Sequence, residues 1–150
     1  MITAQDVSKL RQITGAGIMD AKKALEESAG DFEKAKEILQ AKYAQKAEKK
    51  ADRETGEGFI GTYVHNGKSA SLVALACETD FVARNDEFRE LAQNIALHIT
   101  ALIQEDATIE DILTSSYIKD PNLTIAELLK NKIGVLGENI QIKDFKKISL

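Results

Sequence analysis

The sequence predicts an α+β fold in two parts: three short helices, then a small antiparallel three-stranded sheet packed with helices. Three observations predict it. Over residues 3–43 apolar residues recur at helical spacing, interrupted at Gly15, Gly17 and Gly30. From Gly58 the period changes to the β-branched and aromatic runs "FIGTYVH" and "SASLVALACE", joined through Asn66-Gly67. A stripe then follows at Phe88, Leu91, Ile95, Ile99 and Leu102, spaced so that one long helix lies on that hairpin.

In order along the chain, Val7, Leu10 and Ile13 mark a first helix over 3–13, with Thr3, three residues before Asp6, as its N-cap. Thr14-Gly15-Ala16-Gly17 breaks the pattern. Glycine carries no Cβ penalty in left-handed backbone, which suits one helix ending close to the start of another. Ile18 to Ser28 makes the second helix, with Ile18, Ala21, Ala24 and Leu25 inward, and Gly30 stops it. Asp31 caps a third, whose Phe32, Ala35, Ile38, Leu39 and Tyr43 form one stripe before the signal fades into "AQKAEKKADRETGEG". In the hairpin, Asn66 and Gly67 both tolerate φ > 0, and Asn85 is the expected N-cap of the long helix. "TIEDILTSSYI", 108–118, reads as a short helix or turn, Asp120-Pro121 as a loop, and Thr124 as the cap of "IAELLKNKI", which Gly134 and Gly137 end. The closing "ENIQIKDF" alternates Ile140 and Ile142 with Asn139, Gln141 and Lys143, a third strand with one buried face. Residues 1–54 are thus a three-helix module with a helical basic linker, and 55–150 an α+β core.

At 150 residues and 43% hydrophobic content the chain buries a real core. No run approaches the roughly 18 apolar residues of a membrane span, and MITAQDVSKLR has neither an apolar h-region nor transit-peptide character. A cytoplasmic protein away from membranes is expected. The single cysteine, Cys77, sits in an apolar run without a ligand cluster, as a buried thiol does. A net charge of −4 argues against a nucleic-acid footprint. The stretch Lys42, Lys46, Lys49, Lys50 and Arg53 is interleaved with Glu48, Asp52 and Glu54, and no aromatic follows to stack on bases. It reads as a solvated helical tail becoming a linker.

Enzyme chemistry has little support. His65 beside the hairpin turn and His98 in the long helix have no nucleophile or carboxylate placed by sequence to form a triad. The glycines of Thr14–Gly17 lack the preceding strand of a phosphate-binding loop, and no metal-ligand spacing occurs. No cofactor is expected. The anomaly is "CETDFVARND", 77–86, which places Phe81 in a turn bracketed by Asp80 and Arg84, where polar residues are usual. Pattern alone leaves two readings. Were the long helix to begin early, Phe81, seven residues before Phe88, would share its core face. Thr79, Asn85 and Asp86 favour turn or cap geometry instead, which leaves the ring outside.

These residues carry a resemblance. "LRQITGAGIMDAKKALEESAGDFEKA", 10–35, resembles the N-terminal signature of elongation factor Ts, the bacterial and organellar translation factor that exchanges nucleotide on elongation factor Tu. "ETDFVARNDEF" is similar to that family's second signature, and "GENI" near the end also looks like the family, so the resemblance spans essentially the whole chain.

The resemblance implies a UBA-like N-terminal module, similar to ubiquitin-associated domains, ahead of the core. It implies that Lys9, Arg11, Thr14, Gly15, Ala16, Gly17, Ile18 and Met19 dock on the nucleotide-binding domain of elongation factor Tu, in its GDP-bound and nucleotide-free forms. It further implies that Thr79, Asp80, Phe81 and Val82 reach towards the partner's Mg²⁺ and nucleotide, with Phe81 wedged between helices so that GDP leaves. No catalytic chemistry or cofactor is involved, and the compartment is the cytoplasm, or the stroma or matrix for an organelle-encoded chain. Longer members of the family carry a second core repeat and a helical hairpin after the first, contacts that this chain is expected to do without. A homodimer through the core sheet is therefore expected, with Ile140 and Ile142 lining the surface that a second copy covers. Asp144 precedes Phe145 where the family more often has a basic residue, and Ala21 stands where a cysteine is common. The competing readings are a helical adaptor or nucleic-acid-binding module fused to an α+β domain, disfavoured by Asp20, Glu26 and Glu27 beside Lys22 and Lys23, and a small enzyme built on His65 or His98.

Overall fold

The structure, a computed structural model, describes residues 1–150. It divides into two compact units: residues 1–49 with 130–137, and residues 50–129 with 138–150.

In the first unit, α1 (Ala4–Thr14), α2 (Ile18–Glu27) and α3 (Phe32–Lys50) enclose one core. Thr3 and Asp6 form a reciprocal cap: the Asp6 N–H donates to Thr3 Oγ1 at 3.1 Å and the Thr3 N–H to Asp6 Oδ2 at 2.8 Å, satisfying two donors that a helix start leaves orphaned. Leu10, Ala16, Ala21, Leu25, Ala35, Leu39 and Tyr43 are all buried. The small residues let the helices approach closely, and Leu10, Leu25 and Tyr43 fill the centre. Two residues expected inside lie outside: Ile13 and Ile18 are half-exposed or more. The helices are short, so each offers the core only a narrow stripe, and these residues flank it. α3 also runs on past the fading apolar pattern, because Ala47 continues the i, i+4 row of Ala35, Leu39 and Tyr43 into burial. Lys42 and Lys46 do not form a free basic patch: both pair with Asp20, at 2.5 and 3.8 Å, and Tyr43 donates its hydroxyl to the same carboxylate at 3.2 Å.

The division at residue 54 expected from composition is not where the compact units part. Lys50 to Glu54 belong with the second unit, and Lys130–Gly137 with the first. The reason is local packing. In α7 (Ile125–Leu136), Gly134 does not end the helix; the Tyr43 ring occupies the space a Cβ would need there, and Val135 packs on the same core. Gly137, at φ 81°, is the residue that ends the helix.

In the second unit, β1 (Glu57–His65) and β2 (Ser69–Cys77) form the expected hairpin, with Asn66 at φ 53° and Gly67 at φ 67° in its turn. The third strand, β5 (Gln141–Ser149), pairs antiparallel with β2, giving the order β1-β2-β5. α5 (Asp86–Leu102) covers one face, where Phe88, Leu91, Ile95 and Ile99 are buried with Val73 and Leu75. Leu102, expected on that stripe, is exposed at the helix's last residue, and the extended residue after it, Ile103, turns inward instead. β5 carries a bulge: Asp144 pairs with Ala74 and Ile142 with Leu75, so Lys143 has no partner and the alternation restarts. This brings Ile142 and Phe145, three apart, to the same side. Lys147, opposite buried Ser71, reaches Ile103 O at 2.6 Å, a cation on the carbonyl end of α5.

After α6 (Ile109–Thr114), the end of the stretch read as a short helix or turn and the loop read at Asp120-Pro121 form a second sheet of β3 (Ser116–Tyr117) and β4 (Asp120–Thr124). Pro121 is tolerated because a two-stranded sheet leaves each strand one free edge. His98 fastens this ribbon to α5. Its ring is buried, with Nε2 2.8 Å from Ser115 Oγ, and Nδ1 accepts the Ile118 N–H at 3.1 Å. Both ring nitrogens are committed to structure, and burial lowers the ring's pKa.

Candidate functional site

Phe81 lies in α4 (Asp80–Ala83), a single helical turn between β2 and α5. Thr79 is its N-cap: the Thr79 Oγ1 accepts the Val82 N–H at 3.3 Å. At about 100° per residue, one turn sends Val82 and Ala83 into the core and leaves Asp80 and Phe81 outside. The Phe81 ring is 84% exposed. Asp80 pairs with Arg84 at 3.0 Å, a solvated i, i+4 contact. Asn85 then restarts the helix from an extended conformation, its Oδ1 accepting the Glu87 and Phe88 N–H groups at 2.8 and 3.3 Å. The two Phe81 readings left open by pattern are thereby decided in favour of a separate turn: Phe81 and Phe88 belong to different helices.

The turn is fastened on its inner side. Arg89 Nε donates to Ala83 O at 3.1 Å while its guanidinium stacks 4.8 Å from the Phe59 ring. Cys77 Sγ donates to Thr79 O at 3.3 Å. Burial, aided by the nearby Glu138 carboxylate, pushes that thiol up to about 11, so it stays protonated and poorly nucleophilic near neutrality. Thr79, Asp80 and Phe81 are surface residues. Val82, expected among the contacts, is buried, so its side chain anchors the turn.

The N-terminal group lies in the first unit. Gly15, at φ 73°, ends α1 by donating its N–H to Arg11 O at 2.7 Å. Thr14 Oγ1 donates to Leu10 O at 2.8 Å and accepts the Ala16 N–H at 3.2 Å, and Arg11 Nε donates to Ala16 O at 3.1 Å. These bonds hold the Thr14–Gly17 turn in one shape. Ala16, expected among the contacts, is buried, so its side chain supports the turn from within. Beside it Ile13, Ile18 and Met19 are 52%, 58% and 61% exposed, a small apolar surface, with Lys9 and Arg11 exposed nearby in sequence. Ile18 also lines a groove of about 460 Å³ with Ile2, Val7, Ser8, Arg11, Lys22 and Glu26. Sequence reasoning puts Ile13 on the inner stripe of the first helix and does not single out this groove; an isoleucine next to its helix's own C-terminal turn is the signal for the exposed surface.

A third surface is the face of the core sheet opposite α5. Strand pairing aligns Ile60, Ala74 and Asp144 in one row, Thr62, Leu72 and Lys146 in the next, and Val64, Ala70 and Ile148 in the last. Ile60, Val64, Leu72 and Ile148 are all about half-exposed or more. Ile140 and Ile142, expected on such a surface, are buried instead. The bulge at Lys143 explains it, since the chain before the bulge packs inward while the residues after it supply the outer face.

A family model for elongation factor TS matches residues 78–150, which include α4 and β5. The chain is 47% identical over 148 residues to the elongation factor Ts of Aquifex aeolicus, covering 96% of this chain and 51% of that protein. It is 39% identical over 193 aligned positions to that of Fervidobacterium nodosum, covering 99% of this chain and 98% of the relative. The chloroplastic elongation factor Ts of Rhodomonas salina is 40% identical, with 99% and 89% covered. The chain spans about half the length of relatives such as the Aquifex protein. No helix is long and apolar enough to cross a membrane.

Proposed function

The chain belongs to the elongation factor Ts family, and on that premise we propose that it is a guanine nucleotide exchange factor for elongation factor Tu. It binds the GDP-bound partner, places Asp80 and Phe81 near the Mg²⁺ and nucleotide, and stabilises the nucleotide-free form. The observation that carries this reading is the ring of Phe81, 84% exposed on a turn whose other side is anchored. Burying such a ring in a partner contributes about 1.5–3 kcal/mol, a gain the free chain forgoes.

An exchange factor needs no catalytic residue. It needs tighter binding to the empty partner than to the filled one, and linkage then weakens GDP by the same factor, typically about 1–3 kcal/mol. Mg²⁺ tolerates little distortion of its octahedron, so an aromatic ring that displaces nearby elements loosens the metal and with it the phosphates. Asp80, released from its solvated pair with Arg84, supplies a negative charge at the same place. Lys9, Arg11, Ile18 and Met19, around the braced Thr14–Gly17 turn, form the second contact, with the cations steering association and the apolar pair giving area. The test is release of fluorescent GDP from purified elongation factor Tu. Wild type accelerates it and Phe81→Ala does so at least tenfold less; no acceleration by wild type rejects the function.

The outer sheet face supports a homodimer as part of the same proposal. Ile60, Val64, Leu72 and Ile148 make a contiguous apolar surface, and Asp144 and Lys146 on that face allow a two-fold copy to pair each with the other. Light scattering at micromolar concentration is expected to give a dimer, and Leu72→Lys a monomer. A monomeric wild type removes this part of the proposal.

A further inference from the structure

The turn that carries Phe81 is held from a distant point in the sequence. Glu138 Oε1 accepts the N–H groups of Glu78 and Thr79 at 3.1 and 3.0 Å, and its Oε2 accepts the Thr79 hydroxyl at 2.6 Å. The contact is reciprocal: Glu78 Oε2 accepts the Asn139 N–H at 2.7 Å. Asn139 is itself buried and donates through Nδ2 to Arg53 O at 2.9 Å, so the segment that bears Glu138 is fixed in the second unit.

The Thr79 hydroxyl does two things at once. It accepts the Val82 N–H that starts α4, and it gives its own proton to Glu138. A hydroxyl with its proton committed presents its lone pairs in a fixed direction, so the carboxylate orients the cap as well as the backbone before it. Two residues further on is Phe81. α4 has only four residues, too few to hold a helical turn by its own backbone bonds. Its geometry therefore depends on what grips its first residues.

We infer that Glu138 is the positioning residue that holds Phe81 outward. This rests on the exchange-factor reading for what the ring meets, but not for how it is held. An exposed ring on a loose turn spends most of its time in other orientations, and a partner then binds only the fraction that points correctly. The carboxylate removes that penalty before the encounter.

The chain contains no tryptophan, so Phe81→Trp places a single indole at the position in question. Time-resolved anisotropy of that indole in the full chain, without partner, is compared in the native, Glu138→Gln and Glu138→Ala backgrounds. The native background is expected to show motion dominated by overall tumbling. Glu138→Ala is expected to add a fast local component, and Glu138→Gln, which keeps one accepting oxygen but loses the acceptor for the Thr79 hydroxyl, a smaller one. In the GDP-release assay Glu138→Ala is expected to reduce acceleration about tenfold, and to cost nothing further when added to Phe81→Ala, because both act through one ring. Unchanged anisotropy in a variant with native circular dichroism, or losses that multiply in the double variant, overturns the inference, as does unfolding of both Glu138 variants. If wild type fails to accelerate release while the anisotropy changes as expected, the exchange reading falls and the positioning role stands.

Discussion

Two phenylalanines seven residues apart end in opposite environments. Phe88, in the first turn of α5, is fully buried against the sheet, whereas Phe81, in α4, is 84% exposed. A spacing of seven places two residues on one face of a continuous helix. The helix is not continuous. Asn85 sits at φ −68°, ψ 132°, so the rotation that relates residue 81 to residue 88 is broken, and each short element takes its phase from its own cap. The contrast separates two jobs that look alike in composition: an aromatic that holds the fold together and one that is withheld from it.

The largest expected effect sharpens that contrast from the buried side. Phe88→Ala should destabilise by about 3–5 kcal/mol in urea unfolding, since it leaves a cavity between helix and sheet. A loss below about 1 kcal/mol would erase the distinction between the two rings. Acidification should act next, again through α5. Burial depresses the His98 pKa below 6.5, so in the folded chain the ring stays neutral at pH values where it is protonated in the unfolded chain. The unfolded state then binds the extra proton. Its stabilising contribution is complete above about pH 6.5 and is lost as pH falls from there through the depressed folded value, with a slope of at most about 1.4 kcal/mol per pH unit. Melting curves between pH 7.5 and 5 should therefore fall more steeply for wild type than for His98→Gln, and parallel curves would mean that the ring does not titrate differently on folding.

Asn85→Ala tests the break itself. Loss of the cap should destabilise by about 1 kcal/mol and, by letting α4 and α5 compete for one helical phase, should alter the exposure of an indole placed at position 81. An unchanged emission maximum in that variant would show that the break survives without its cap. The smallest effect on stability belongs to Phe81→Ala, expected within about 0.5 kcal/mol of wild type while exchange activity drops. A loss near that of Phe88→Ala would mean that the ring is a core residue after all.

Much of this architecture is legible in sequence where the signal is local. Thr3, Thr79 and Asn85 cap helices because a side-chain oxygen two or three residues from an orphaned N–H needs no distant partner. Asn66-Gly67 turns the hairpin for the same kind of reason. The misreadings have a common origin in partners remote along the chain. Gly134 looks like a helix end until Tyr43 is seen to fill the space above it. Ile142 looks like an exposed interface residue until the bulge at Lys143 turns it inward. Lys42 and Lys46 look like part of a solvated tail until Asp20, in another helix, pairs with both. In the candidate site, the anomaly of Phe81 is visible in "CETDFVARND", but the burial of Val82 and Ala16 is not, because one turn of helix contains both directions and only packing selects between them.

By itself, the sequence determined the class of each long element, the caps that start them, the hairpin turn and the membership of a family, all of which depend on residues a few positions apart or on motif identity. Only the tertiary structure decided which apolar residues face outward, that residues 130–137 group with the first helices, and that Glu138 grips the turn before Phe81. The physical reason is range: backbone hydrogen bonds and caps are satisfied locally, whereas burial and carboxylate clamps depend on what the fold brings from elsewhere.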